Sequence, residues 1–530
     1  MIEALRNKWK SETVTGERKS VKQDIPGFIN SIAVLELLHY HVMRNSTIAI
    51  HCDVDLDGIG SGYILRRFLS HLMQKPQLCI INQGKEHGIK ERHAEYFKNN
   101  PIDLFVVVDS SSNEINTIKD FTCDVIVIDH HEVDHNELIG LTNDKQHRFV
   151  ILNNTLDNPL TDNINKWIRM MNPNTSVRFE DYHSTPEMSC GLVVYELLRL
   201  YQEAYQTGEL LENLLLYQWV GVTLLTDAIP LLNERNQWYM DNTVHSQYVE
   251  PTLQLILRTL NKFSVTLDKS FISYTMAPTF NRAIRANANV DALTIVMNNP
   301  IGVEALKQYR ELQDWSISKA MENLVENDTF CKIDLTNTGI NKNYTGVIAG
   351  KACDDFNKNA ISYTVEGGVA SGSFRGRNQK ADYRAQFNKF AEKGVSAQGH
   401  HGAFGFTSPE DLLDEVMSSL TDIEGEISSR YYLTAGNIPE YLRGEYHIDD
   451  IDAFRKQGGL MMLGIGNSKV ASDEQILITT LASEAKLTEV RGKLFIYDIF
   501  GIACKAFKEI DTPIINIYAE YSKTLELYIK

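Results

Sequence analysis

Long apolar runs are absent from this sequence: no uninterrupted stretch approaches the ~20 apolar residues that a membrane-spanning helix requires. The seven cysteines are odd in number and include no Cys-x-x-Cys pair, which argues against a disulfide framework and against a zinc ribbon. The first residues also lack the apolar core of a signal peptide. We therefore expect a cytoplasmic protein with reduced thiols and no membrane association.

Positive charge is scarce as well, because 52 Lys and Arg face 69 Asp and Glu, for a formal net charge of −17. Such a balance normally argues against a polyanionic partner. It decides little here, since carboxylates that bind metal ions inflate the acidic count and local patches matter more than the sum. At 530 residues the chain is too long for one core and should divide into two to four domains.

What the sequence does contain is an acidic turn, residues 51–57, at the end of a short apolar run. The run is rich in β-branched residues and predicts a buried strand, whereas the pattern after Gly58 is helical. In an extended turn alternate side chains point the same way, so Asp53, Asp55 and Asp57 can converge. Their charges would repel one another unless a cation lay between them. A solvated turn with Asp at cap positions is the alternative interpretation.

Other short Val- and Ile-rich runs, separated by helical stretches, predict a parallel sheet that is covered on both faces. Their carboxyl ends, where open α/β sheets bind ligands, carry Asp109 and the run Asp129-His130-His131. A later apolar segment leads to Asp227. Singly, each of these residues is explained as a helix cap or a core histidine. Together they predict a cluster that holds two divalent ions, with Mn²⁺ favoured by the histidines and Mg²⁺ as the alternative.

These residues resemble, in chain order, the motifs of the DHH phosphoesterase superfamily, and within it the RecJ single-strand-specific exonucleases. The resemblance covers about residues 45 to 420 and includes further matching segments at 226–235, 278–285, 372–375 and 399–405. It implies an α/β fold in which a parallel-sheet DHH domain is joined by a helix to a smaller α/β DHH-associated domain. The strand-like runs near the end of the chain predict a β-rich domain, either of the oligonucleotide-binding kind or a simple scaffold.

The predicted organisation has five segments along the chain. They are an N-terminal helical arm at 1–45, the DHH catalytic domain at 46–240, a connecting helical region at 241–330, the DHH-associated substrate-binding domain at 331–425 and the C-terminal β-rich domain at 426–530.

The resemblance also implies a role for each site residue. The implied metal ligands are His51, Asp53, Asp55, Asp57, Asp109, His130 and Asp227. The implied catalytic residues are Asp129, His131, Arg285 and His400. The implied substrate-binding residues are Lys85, Asn281, Ser373, Arg375, Arg377 and His401. We expect Asp129 to orient the ring of His130, and the Arg and Ser side chains to grip a terminal 5′ phosphate. For the basic stretch 375–393, a solvated charged helix is the alternative.

The implied function is a Mn²⁺- or Mg²⁺-dependent exonuclease that degrades single-stranded DNA from the 5′ end to mononucleotides. Single-strand-binding protein or a helicase would be its partner, in DNA repair and recombination. One alternative is a phosphodiesterase or phosphatase for short oligonucleotides, cyclic dinucleotides or nucleoside bisphosphates, although the length of the chain favours the exonuclease. The other is a non-catalytic nucleic-acid-binding scaffold, which predicts eroded metal ligands, and none of the core positions is lost here.

Overall fold

The structure is a computed structural model, and it divides into two compact units. Unit 1 comprises Met1–Asn281, Asn289–Glu304 and Ser428–Lys530, and unit 2 comprises Arg282–Ala288 and Ala305–Ile427. Within these bounds the residues described are 30–133, 148–155, 188–227, 229, 231, 234–261, 267–377, 381–421, 429–433, 446–448, 476–491, 494–499, 502–506, 509–510, 514–521 and 525–529. Most of the predicted N-terminal arm, up to residue 29, lies outside this set, and the division of the chain into five segments stays a prediction.

The first elements of unit 1 alternate strands and helices. They are α1 (Ser31–Met43), β1 (Ile48–Cys52), α2 (Leu56–Leu72), β2 (Leu78–Ile81), α3 (Glu91–Asn99), β3 (Leu104–Val108), α4 (Ile115–Ile118), β4 (Asp124–Asp129) and β5 (Phe149–Asn153). The five strands form an all-parallel sheet in the order β2-β1-β3-β4-β5. Every residue of β1, β3 and β4 is buried, as expected for Val- and Ile-rich strands that are covered on both faces.

Helix α2 begins at Leu56, three residues before the helical pattern that the sequence predicts after Gly58. The reason is a cap: Asp55 has an extended backbone and its side chain accepts a hydrogen bond of 3.0 Å from the backbone N–H of Gly58. Two of the three aspartates of the acidic turn therefore belong to a helix start, and Asp57 lies within the first turn of α2.

Helices make up the next part of the chain. They are α5 (Cys190–Tyr205), α6 (Leu210–Asn213), α7 (Tyr217–Thr226), α8 (Glu234–Val244), α9 (Pro251–Leu260), α10 (Lys269–Phe271), α11 (Ala277–Arg285), α12 (Asn289–Asn298) and α13 (Gln308–Met321). A π-helical turn, Ile272–Met276, separates α10 from α11. Among the described residues, no helix combines the length and the apolar character that crossing a bilayer requires.

Unit 2 is built on a mixed, six-stranded sheet. Its further elements are β6 (Leu324–Glu326), β7 (Phe330–Asp334), α14 (Thr345–Phe356), β8 (Asn359–Glu366), β9 (Val369–Arg375), α15 (Tyr383–Asn388), β10 (Ser396–His400), β11 (Ala403–Pro409) and α16 (Leu413–Ser419). The strand order is β10-β11-β9-β8-β7-β6, and only β7 and β8 pair in parallel. Tyr344, Phe374 and Tyr383 are at most 1% exposed, so all three aromatic rings belong to the core.

The end of the chain is β-rich. Its strands are β12 (Ser429–Leu433), β13 (Tyr446–Ile448), β14 (Ile476–Leu481), β15 (Ala485–Arg491), β16 (Leu494–Ile499), β17 (Ile502–Ala506), β18 (Ile514–Tyr521) and β19 (Leu525–Ile529). They form one sheet in the order β13-β12-β14-β18-β19-β17-β16-β15. The predicted fold class, two α/β regions followed by a β-rich region, is confirmed. An oligonucleotide-binding barrel stays a prediction.

Candidate functional site

The carboxyl ends of β1, β3 and β4 lie level with one another at one edge of the parallel sheet. Cys52 pairs with Val108, and Val108 pairs with Ile128, so the residues that follow these strands are neighbours. Asp109 has a left-handed backbone with φ of 69°, a conformation that Asp tolerates better than most residues. This backbone turns the chain directly after β3 and keeps Asp109 99% buried at the sheet edge.

The imidazole of His130 lies among three carboxylates. Its Nε2 is 3.2 Å from Oδ1 of Asp109, 3.5 Å from Oδ2 of Asp227 and 3.8 Å from Oδ2 of Asp57. The described residues contain three sets whose donor atoms lie within 4.8 Å of one another: Asp109 with His130 and His131, Asp57 with His130 and Asp227, and Asp53 with Asp55 and Asp109. Turns that are more than a hundred residues apart in the chain therefore meet at one edge, as the sequence predicted.

Several buried donor atoms of this cluster are unpartnered. Among the described residues, none forms a hydrogen bond with Oδ1 of Asp109 or with Nε2 of His130. An unsatisfied buried polar group costs about 1–3 kcal/mol. Carboxylate oxygens with one or two imidazole nitrogens are the donors that Mn²⁺ and Mg²⁺ sites use. The residues present therefore fit a divalent metal centre, and their assignment as ligands stays a prediction.

The electrostatics of the cluster point the same way. Burial raises the pKa of Asp57, Asp109 and Asp227, and the charges of the neighbouring carboxylates raise it further. For Asp57, the charge of His130 and two backbone N–H groups oppose this rise. Carboxylates packed this closely repel one another in the absence of a cation. A divalent ion would relieve the repulsion and favour the ionised forms.

Asp57 is anchored by the first turn of α5. Its Oδ2 accepts a hydrogen bond of 2.8 Å from the backbone N–H of Cys190, and its Oδ1 accepts one of 2.9 Å from that of Gly191. A Cβ atom on Gly191 would lie 2.3 Å from Oγ1 of Thr223, in helix α7. Glycine at this position thus lets α5 and α7 approach closely. Asp227 caps the carboxyl end of the same helix α7.

Asp129 orients His131 and not His130, which corrects the expectation from the sequence. Its Oδ1 accepts a hydrogen bond of 2.8 Å from Nδ1 of His131, while His130 donates to it only through the backbone N–H, also at 2.8 Å. The hydrogen bond and charge of Asp129 raise the pKa of His131 to about 9. Burial alone would raise the pKa of Asp129, but His131 lowers it well below its ordinary range.

Asp53 is held by a neighbour that the sequence analysis missed. Nδ1 of His87 lies 2.6 Å from Oδ2 of Asp53, and the backbone N–H of Gly88 donates to Oδ1 at 3.1 Å.

His51 is fully buried in β1, with its ring 5.2 Å from the ring of His93, and it belongs to none of the three donor sets among the described residues. Burial and the charge of His93 lower the pKa of His51 to about 3.

In unit 2, the predicted phosphate-binding side chains lie around the start of α14. Oγ of Ser373 is 2.9 Å from Oγ1 of Thr345. A Cβ atom on Gly346 would lie 2.9 Å from Nη2 of Arg375 and 3.5 Å from Oγ of Ser373, so the missing side chain leaves room for both groups. Burial and the charges of Arg282 and Arg375 lower the pKa of Arg285 to about 10. Clustered guanidinium groups of this kind suit an anion.

The remaining predicted residues occupy less constrained positions. Lys85 and Arg377 are exposed, and Asn281 is half-buried in α11. Nδ1 of the exposed His401 lies 2.9 Å from Oδ2 of Asp382. His400 ends β10, and its side chain lies outside the described residues.

Sequence reasoning missed His87, Thr345, Gly346 and the backbone N–H groups of Cys190 and Gly191. His87 could have been recognised, because it lies two residues after Lys85, which the resemblance implied as a substrate-binding residue. The others are common residue types whose contacts depend on the tertiary fold.

A comparison with protein families places the part of the chain that carries the acidic cluster. Residues 47–221 match the model of the DHH family, N-terminal domain. This part of the chain therefore carries a DHH-family domain, which confirms the resemblance found in the sequence.

Among solved structures, the chain is similar to RecJ from Thermus thermophilus in complex with Mn²⁺, at 15% identity, with a TM-score of 0.60 over 96% of this chain and 73% of that one. The same protein in complex with Mg²⁺ gives 16% identity and a TM-score of 0.56, over 96% of this chain and 71% of that one. An exonuclease RecJ bound to manganese gives 16% identity and a TM-score of 0.54, over 75% and 97%. At these identities the likeness shows the fold. None of the curated proteins matches the sequence.

Proposed function

We propose that this protein is a metal-dependent exonuclease that hydrolyses single-stranded DNA from its 5′ end to mononucleotides. The observation that carries the proposal is the convergence of Asp57, Asp109, His130 and Asp227 at one sheet edge, with buried donor atoms that lack a partner among the described residues. The similar RecJ structures, which hold Mn²⁺ or Mg²⁺, support the same assignment.

Two divalent ions at this edge would supply the Lewis acidity that activates a water and neutralises charge on the leaving oxygen. The protein's own residues do the positioning. Cys190 and Gly191 hold both oxygens of Asp57 through their backbone N–H groups, which fixes this carboxylate before an ion arrives. Asp129 binds Nδ1 of His131, which leaves Nε2 to meet a non-bridging phosphate oxygen.

The polarity of digestion would come from unit 2. Ser373 and Arg375 offer a hydroxyl and a half-buried guanidinium side by side, next to the space left by Gly346. A terminal monoester carries more negative charge than an internal phosphodiester, so such a site prefers a 5′ phosphate. In this proposal Arg285 and His400 neutralise the scissile phosphate. The further substrate contacts would be Lys85, Asn281, Arg377 and His401.

The decisive experiment is digestion of long single strands labelled at either end, with and without a 5′ phosphate, in the presence of Mn²⁺. The proposal predicts that a 5′ label appears at once as a mononucleotide, whereas a 3′ label stays on progressively shorter strands. Removal of the 5′ phosphate should slow the reaction. Ser373→Ala should reduce this dependence, and Ser371→Ala is the matched control because Ser371 is exposed on the same strand β9.

Other outcomes separate the alternatives. Release that begins at the 3′ end, or equal digestion of duplex DNA, would contradict the proposal. Product from oligomers of a few nucleotides only would favour the phosphodiesterase of short oligonucleotides. The resemblance to RecJ extends the proposal in two ways. We propose single-strand-binding protein or a helicase as a partner, and a role in DNA repair or recombination.

A further inference from the structure

The loop between β2 and α3, residues 82–90, lies beside the acidic cluster and is fixed by hydrogen bonds at several of its residues. Nδ2 of Asn82 donates to the backbone carbonyl of Gly88 at 2.6 Å, and Nη2 of Arg92 donates to Oδ1 of the same Asn82 at 2.8 Å. The backbone N–H of Ile89 donates to Oγ of Ser111 at 3.0 Å. The loop is therefore held in one conformation by side chains from several elements.

One of these ties comes from Asn289, the first residue of α12. Its Nδ2 donates to the backbone carbonyl of Gly84 at 2.8 Å, and its Oδ1 accepts from the N–H of Gly84 at 2.8 Å. The donor and the acceptor of the Asn289 amide thus both form hydrogen bonds with the backbone of Gly84. Asn289 is completely buried, and its partner is 205 residues away in the chain.

The other side of the loop contacts the metal cluster. His87 and the backbone N–H of Gly88 bind the two oxygens of Asp53, at 2.6 and 3.1 Å. Asp53 in turn lies in the donor set that contains Asp55 and Asp109. The loop thus connects Asn289 on one side to a carboxylate of the cluster on the other.

We propose that Asn289 is a positioning residue for the metal centre. Its amide fixes the backbone at Gly84 and thereby the positions of His87 and Gly88. These two residues in turn orient the carboxylate of Asp53 toward the ions. The inference rests on the metal centre of the proposed function and extends it to a residue that no motif of the sequence singled out. Residues that orient a ligand in this indirect way are typically worth about 10–100-fold in metal affinity or activity.

The test uses Mn²⁺ alone, measured by isothermal titration calorimetry on the full chain. Asn289→Ala should weaken Mn²⁺ binding by about 10–100-fold. The matched control is Asn30→Gly, because Asn30 is also buried and its Nδ2 donates to the backbone carbonyl of Ile151 at 2.8 Å. Asn30 has φ of 69°, which glycine adopts freely, so this change removes the side chain without straining the backbone. It should change Mn²⁺ affinity by less than about threefold, since it does not touch the loop.

A double-mutant cycle distinguishes positioning from a general loss of stability. If Asn289 acts through the loop, Asn289→Ala should weaken Mn²⁺ binding less in a His87→Ala background than in the wild type, because only the backbone N–H of Gly88 then still connects the loop to Asp53. Wild-type Mn²⁺ affinity in Asn289→Ala, or fully additive effects in the double variant, would overturn the inference. If Asn289→Ala fails to fold, His87→Ala decides alone, and unchanged Mn²⁺ affinity in that variant overturns the inference.

The failure of the proposed function would look different. A wild-type chain that binds Mn²⁺ but releases no nucleotides would contradict the exonuclease and leave the role of Asn289 to the binding data.

Discussion

The two ends of the parallel sheet in unit 1 each bury an aspartate beside a histidine, but they differ in whether those groups have partners. At the amino end, Nε2 of His41 lies 2.8 Å from Oδ2 of Asp124, and Nδ1 lies 3.0 Å from Oγ of Ser46. Arg148 completes the set by donating from Nε to Oδ2 of Asp124 at 3.0 Å. At the carboxyl end, Asp109 and His130 keep buried atoms with no hydrogen bond from any described residue.

The difference separates two uses of the same side chains. In a buried and fully hydrogen-bonded charge pair, each partner compensates the desolvation of the other. Removal of one partner therefore destabilises the fold, because the remaining charge stays buried without compensation. A buried cluster that is left unsatisfied lowers stability, and such a cost persists where function requires it. We therefore assign the amino end of the sheet to stability and the carboxyl end to metal-dependent chemistry.

The largest expected effect is on catalysis. Asp109→Asn should lower the rate of hydrolysis by at least about 10³-fold, because a lost carboxylate in a two-metal site removes several kcal/mol of transition-state stabilisation. Asp124→Asn, at the other end of the sheet, should leave the rate of the folded enzyme within about threefold of wild type. Initial rates on a labelled single strand would check both values. Equal losses in the two variants would erase the distinction between the two ends.

Stability should show the reverse pattern. Asp124→Ala should lower the free energy of unfolding by about 3–5 kcal/mol, because it removes the carboxylate that pairs with the buried His41 and the half-buried Arg148. Asp109→Asn should raise the stability of the metal-free protein, since it removes one of the repelling carboxylates. Urea unfolding followed by circular dichroism in a chelator measures both changes. A destabilised Asp109→Asn protein would mean that the cluster is satisfied in a way that the geometry does not show.

Metal addition should sharpen the comparison further. At a concentration one hundred times the dissociation constant, Mn²⁺ should raise the free energy of unfolding by about 2.7 kcal/mol in the wild type. The same increment is expected in Asp124→Asn, where the cluster is intact, and a much smaller one in Asp109→Asn. Thermal unfolding at several Mn²⁺ concentrations gives the answer, and an equal shift in all three proteins would place the ion elsewhere.

The smallest expected effect is the pH dependence at the amino end. Burial alone would raise the pKa of Asp124, but the hydrogen bonds from His41 and Arg148 lower it from its ordinary value of 3.8 to about 2. A depressed pKa contributes stability that is present above pH 4 and is lost as the pH falls through 2. The contribution is about 2 kcal/mol. The stability difference between wild type and Asp124→Asn should therefore shrink between pH 4 and pH 2, and a constant difference would contradict it.

Sequence reasoning reached the strands and the cluster because both follow from local patterns. Val- and Ile-rich runs predict parallel strands, and the rule that ligands bind at the carboxyl ends of strands predicts that Asp109 and His130 are neighbours. Asp227 follows a helix, so this rule does not place it. It did not reach Asn289, because a buried asparagine has no pattern of its own and its partner lies 205 residues away. It also paired Asp129 with the ring of His130 instead of that of His131, since adjacent histidines differ only in which ring turns back toward Asp129.

The anchoring of Asp57 has a consequence for ion selection. Both of its oxygens already accept a backbone N–H from the start of α5, and Oδ1 also accepts a hydrogen bond of 3.2 Å from Oγ of Ser61. Only Oδ2 therefore keeps a lone pair for an ion. A carboxylate in this state is poorly suited to wrapping both oxygens around one ion. Ca²⁺ takes six to eight oxygen ligands and often uses bidentate carboxylates, whereas Mg²⁺ prefers a compact octahedron. In the proposed metal centre, this helix start would thus bias ion selection against calcium.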